Sequence, residues 1–198
     1  KNKSINPIVV AFDDKGAPIK EVYQQRKELN QNKMAIDFQY TIPIMGEIEN
    51  KIYLTTAYDN RIYCPQDSSV FQLSNLPYNW ESSYPIYDSL IEYLNKEKRD
   101  TTYTYFRFFP IRVQDIIDIN GNIGIILRYW YSFKRDEFKY IIQEYNKKGE
   151  LISQNTFIPE NRKKTEQFSF DNKTNQLITL SYVNEKWQLE RRAWRKAK

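Results

Sequence analysis

The chain has 198 residues, 40% apolar and 28% charged, enough to bury a sizeable core as one large β domain or two small ones. No apolar run approaches the roughly 20 residues of a membrane-spanning helix, so no membrane-spanning segment is expected. The net charge of +5 sits in a tail: Arg191, Arg192, Arg195, Lys196 and Lys198 against Glu190 leave only +1 for everything before, which argues against a nucleic-acid partner, whose binders spread Lys and Arg along a face.

Chemistry is narrowed further by what is missing from the sequence. The chain has no His, which removes Ser-His-Asp and Cys-His nucleophile systems and every His-ligated metal site. The single Cys64 can form neither an internal disulfide nor a thiolate cluster, and five Gly do not make a phosphate loop. No catalytic residue, metal ligand or cofactor is therefore assigned. The sequence begins at Lys1 with no apolar segment before Ile5, which fits a mature chain whose leader has been removed and leans toward export.

In chain order, Pro7 to Phe12 and Ala17 to Tyr23 read as strands around the turn Asp13-Asp14-Lys15-Gly16. A polar stretch from Gln24 to Lys33 reads as a short helix or a loop. Ala35 to Ile44, Glu47 to Ala57 and Arg61 to Cys64 are the next strands, with Met45-Gly46 and Tyr58-Asp59-Asn60 as turns. Ile52, Leu54 and Thr56 share one face of their strand, and Lys51, Tyr53 and Thr55 the other.

Residues 67–83 read as a loop. Ile86, Leu90, Ile91 and Leu94 then have helical spacing, with Pro85 in a first turn and Lys96, Lys98 and Arg99 at the dipole's negative end, so one helix is expected over 85–98, packed on the sheet. Thr101 to Phe109 is a strand of high aromatic density. Its Tyr103, Tyr105, Arg107 and Phe109 point one way, and Phe106 and Phe108 the other. If the first face is exposed, Tyr103, Tyr105 and Arg107 form a ligand-binding stripe suited to a glycan or a protein partner; the alternative is a strand buried on both faces.

From Ile111 onward the pattern is regular. Strands are expected near 112–119, 123–133, 138–145 and 150–157, then 167–170, 176–183 and 186–194, separated by short Asn/Asp/Lys/Gly turns. Four antiparallel strands in about 45 residues make one blade of a β-propeller.

The phrases Tyr145-Asn146-Lys147-Lys148-Gly149-Glu150-Leu151-Ile152 and Phe170-Asp171-Asn172-Lys173-Thr174-Asn175-Gln176-Leu177-Ile178 share an aromatic–Asp/Asn–turn–Leu-Ile pattern, and Phe12-Asp13-Asp14-Lys15-Gly16-Ala17-Pro18-Ile19 is a third copy. This pattern resembles the hairpins of TolB-like six-bladed β-propeller lipoproteins of the bacterial envelope. The resemblance covers 111–194 well and 7–64 loosely, and it implies an envelope-associated binding or scaffold protein without a catalytic motif. At about 40–50 residues per blade, the chain makes roughly four blades. A partial propeller from a longer chain, a small closed barrel and a two-sheet sandwich all stay open.

Two further patterns bear on chemistry. Asp118-Ile119-Asn120-Gly121-Asn122 begins like a calcium loop, but Gly comes early and Tyr129 stands where a bidentate Glu belongs, so it reads as a hairpin turn. The pairs Asp115 with Asp118 and Glu47 with Glu49 are the kind that a glycosidase requires across a cleft. The expectation is thus one all-β domain over 1–198, an antiparallel meander of propeller-like blades with sub-units 7–64, 101–157 and 167–194. It would serve as a non-catalytic binding or scaffold protein of the envelope, periplasmic or surface-exposed. The alternatives are a carbohydrate-active enzyme on a propeller, or an interaction subunit that completes its sheet with a partner.

Overall fold

A computed structural model describes residues 9–23, 43–57, 59–76, 111–132 and 137–194. The expected helix over 85–98, the polar stretch 24–33 and the stripe Tyr103, Tyr105 and Arg107 lie outside the described residues. Within them the protein is all-β. Thirteen strands form four open antiparallel sheets of two to four strands, with no closed barrel and no helix among the described residues.

The first sheet is the hairpin β1 (Val9–Phe12) and β2 (Pro18–Tyr23). The second is the meander β3 (Pro43–Ile48), β4 (Lys51–Thr56), β5 (Arg61–Cys64) and β6 (Ser69–Gln72). The third, β7 (Ile111–Ile119), β8 (Asn122–Ser132), β9 (Glu137–Tyr145) and β10 (Leu151–Phe157), is again a four-stranded meander. The fourth holds β11 (Thr165–Asp171), β12 (Gln176–Val183) and β13 (Lys186–Ala193).

Turn chemistry explains where the strands reverse. Glu49-Asn50, Asn120-Gly121 and Asn184-Glu185 are two-residue loops with both φ values positive, between 48° and 78°, the conformation whose twist matches paired strands. At Asp13 to Gly16 and Asn146 to Gly149 the turn is of another kind, and the same in both places. The Asp13 Oδ1 accepts the N–H groups of Lys15 and Ala17 at 2.9 and 2.7 Å, and the Asn146 Oδ1 those of Lys148 and Glu150 at 2.9 and 3.0 Å. Both close on a glycine at φ 80°. The phrase at Asp171 varies the theme, its Oδ1 accepting from Lys173 and Thr174 before Asn175 at φ 52°.

Two details differ from the expected pattern. Met45-Gly46 is not a turn but lies inside β3, and the chain reverses at Glu49-Asn50. The reason is tertiary: a Cβ on Gly46 would lie 2.5 Å from the Ile116 carbonyl oxygen, so the glycine lets β3 lie close against β7. Residues 69–72, expected as loop, form β6 and pair with β5.

The sheets stack through alternate side chains. Ile123, Ile125 and Leu127 of β8 face the second sheet with Tyr53 and Ile62, whereas Ile126 faces the fourth with Tyr140, Phe168 and Leu177. The third sheet is therefore covered on both faces. Each fully buried Ile or Leu there contributes about 1.5–3 kcal/mol. The first strands of the three larger sheets meet, β7 packing against both β3 and β11. The last strand ends where it was expected: Trp194 is buried, and its N–H donates to the Asn175 carbonyl at 2.9 Å.

Candidate functional site

On β12 and β13 the register places Leu180 opposite Leu189 and Tyr182 opposite Trp187, with Ile178 opposite Arg191. Directly paired residues project from the same face. Their neighbours Leu177, Thr179 and Ser181 are buried toward the third sheet, so Ile178, Leu180 and Tyr182 lie on the outer face. That face is uncovered: Tyr182 is 51% exposed, Trp187 61% and Leu189 60%. The Tyr182 and Trp187 rings meet at 5.0 Å between centroids and are tilted by 54°. β13 is also an edge strand. Alternation in the sequence puts Trp187 and Leu189 in one set but carries no signal for whether that set is covered.

The second candidate region joins the first hairpin to the second sheet. Asp59, fully buried, accepts the Tyr23 hydroxyl at 2.6 Å and the Arg61 Nε and terminal nitrogen at 3.0 and 2.8 Å. The Arg61 backbone N–H donates to the same carboxylate at 3.0 Å. Burial, and then the Asp59 charge, push the Tyr23 hydroxyl far above its ordinary range, so it stays a donor at every physiological pH. With these donors in place the cluster is a tie rather than a reaction centre. One cleft lies beside Arg61, Tyr23 and Val70, and another, not lined by the cluster, lies between β1–β2 and the face carrying Met45, Ile52 and Leu54.

The carboxylate pairs do not converge. Asp115 and Asp118 are three apart on β7 and project from opposite faces. Asp118 caps its own hairpin, accepting Gly121 N–H at 2.7 Å, which also makes the calcium-like segment a turn. Burial raises Asp115 to about 6, opposed by the backbone N–H groups of Ile116 and Phe168. Glu49 forms an ion pair with Lys147, while Glu47 sits in β3 opposite Ile52. No group of three metal-binding side chains occurs among the described residues, and no helix there is long and apolar enough to cross a membrane.

Compared with family models, with curated proteins and with solved structures, the chain matches none of them.

Proposed function

We propose that the protein is a non-catalytic binding or scaffold module of a bacterial envelope, whose working surface is the outer face of the fourth sheet and whose partner is a second copy presenting the same face. The observation that carries this reading is the cross-strand stripe of exposed Tyr182, Trp187 and Leu189 with half-buried Leu180, on a sheet whose neighbour is covered on both faces. Stacking apolar sheet faces is how the second, third and fourth sheets are joined. A face that meets its own copy about a two-fold axis satisfies both partners at once. The tilt between the two rings favours a sheet over a sugar, which prefers a flat aromatic shelf. The envelope placement rests on the likeness of the hairpin phrases at Asp13, Asn146 and Asp171 to those of envelope propeller lipoproteins.

Taking 150–250 Å² for a whole aromatic side chain, the stripe offers roughly 400 Å² of apolar surface, short of the ~800 Å² per partner in a standard interface. Association is therefore weak and concentration-dependent. Sedimentation velocity from low to high micromolar protein should show a reversible dimer that Trp187→Lys with Leu189→Lys abolishes while the circular dichroism spectrum is kept. A wild type that stays monomeric over that range would sink the self-pairing. If the double variant unfolds, the stripe is core and not a docking face.

A further inference from the structure

The cleft between the first hairpin and the second sheet has a volume of about 410 Å³ and a lining that is mostly aliphatic. Leu54, 1% exposed, closes its floor, while Met45 and Ile52 on the same sheet face are 58% and 42% exposed. Val9 and Val22 line it from the hairpin. Such a space, apolar with a few polar groups at its edge, has the size and make-up of a small-molecule site.

Its polar groups are Lys20 and Gln66, both exposed. The Gln66 side-chain carbonyl accepts the Ile52 N–H at 3.3 Å, a place where the β4–β5 ladder has opened, so its NH₂ group remains to donate. Lys20 makes no ion pair among the described residues, while the nearby carboxylate of Asp67 is held by Lys51 at 2.6 Å. Glu47 stands on the same sheet face beside Ile52 but does not line the cleft, so the two polar side chains that do line it offer donors, one of them a full positive charge. An apolar trough with two donors in its lining is complementary to an apolar chain that ends in an anion.

We propose that this cleft binds a small anionic amphiphile, an unbranched aliphatic carboxylate whose chain lies along Val22, Ile52 and Leu54 and whose head meets Lys20 and Gln66. At about 410 Å³ the cleft lies toward the small end of the range for ligand sites, which suits a medium rather than a long tail. The class is therefore a medium-chain acid, and this site is separate from the face of the fourth sheet.

Decanoate below its micelle concentration is the probe, titrated calorimetrically into the whole chain, with decyltrimethylammonium as the same tail bearing the opposite charge. Saturable one-site binding of decanoate is expected, with the cationic amphiphile at least tenfold weaker. Lys20→Glu, on an exposed side chain, should keep the fold by circular dichroism and weaken decanoate at least tenfold. Trp187→Lys with Leu189→Lys should bind decanoate as the wild type does. The proposal is overturned if decanoate gives no saturable heat, if the two head groups bind alike, or if folded Lys20→Glu retains wild-type affinity. Loss of binding in the fourth-sheet variant would move the site there and overturn it equally.

Discussion

Asp115 shows how a single side chain can hold stability in reserve. It projects from β7 toward the fourth sheet, where burial raises its pKa from the ordinary 3.8 to about 6, the Ile116 and Phe168 backbone N–H groups opposing that rise. In the unfolded chain the group titrates near 4. Between about pH 4 and pH 6 the folded state therefore holds the proton more tightly, and stability falls as pH rises through that window. The loss at neutral pH is on the order of 2 kcal/mol, since each tenfold difference in proton affinity between the two states corresponds to about 1.4 kcal/mol and solvent partly screens the group. Asp115→Asn keeps an Oδ1 acceptor for the Ile116 N–H and removes the charge. At about 2–4 °C per kcal/mol for a chain of this size, its melting temperature should exceed the wild type's by several degrees at pH 7 and match it at pH 4. Equal melting temperatures at both values would mean that the carboxylate is better solvated than its position implies.

Among the elements, the turns carry most of the information that is visible in the sequence. Asn120-Gly121 and Asn146 to Gly149 are legible because few residue types tolerate positive φ or mimic a backbone turn with a short side chain. Replacing Asn146 by Ala removes the acceptor for two backbone N–H groups at 2.9 and 3.0 Å and should cost about 1 kcal/mol. Asn146→Asp restores those two bonds, as Asp13 does in the equivalent turn, but gives up the Asn146 amide bond to the Glu150 carboxylate at 2.6 Å and sets two like charges together. It should therefore recover only part of the loss unless Glu150 is also replaced by Ala, the residue found at 17, and urea melts of these variants check this. Strand boundaries from Ile111 to Ala193 accordingly fall within about two residues of those expected. Gly46 misleads because its role depends on Ile116, seventy residues away, and not on its own neighbours. The candidate sites are less legible still. Tyr23 and Asp59 are separated by 36 positions and nothing local links them. For Trp187 and Leu189, alternation gives the face a residue occupies but not whether another sheet lies on it.

Across the whole molecule the sheets are held together unequally. The second, third and fourth share two continuous apolar cores, whereas the first hairpin meets the second sheet across a cleft. Among the described residues, the hydrogen bond that ties it down is that of the Tyr23 hydroxyl to the buried Asp59 carboxylate at 2.6 Å. A hydrogen bond to a charged group contributes about 1.5–3 kcal/mol, and removing its donor also leaves Asp59 less well solvated in the interior. Tyr23→Phe keeps the ring and deletes only that bond. Because the hairpin contributes no residue to the two apolar cores among the described residues, the lost energy should appear as local opening rather than as uniform destabilisation. Hydrogen exchange followed by mass spectrometry should then show β1 and β2 exchanging tenfold or more faster, with β7, β8 and β9 at wild-type rates. Arg61→Lys, which gives up the bidentate grip but leaves the Tyr23 contact, should loosen β5 more than the hairpin. If exchange in Tyr23→Phe instead accelerates evenly over all four sheets, the first hairpin unfolds with the whole, and the tie is one bond among many in a single cooperative unit.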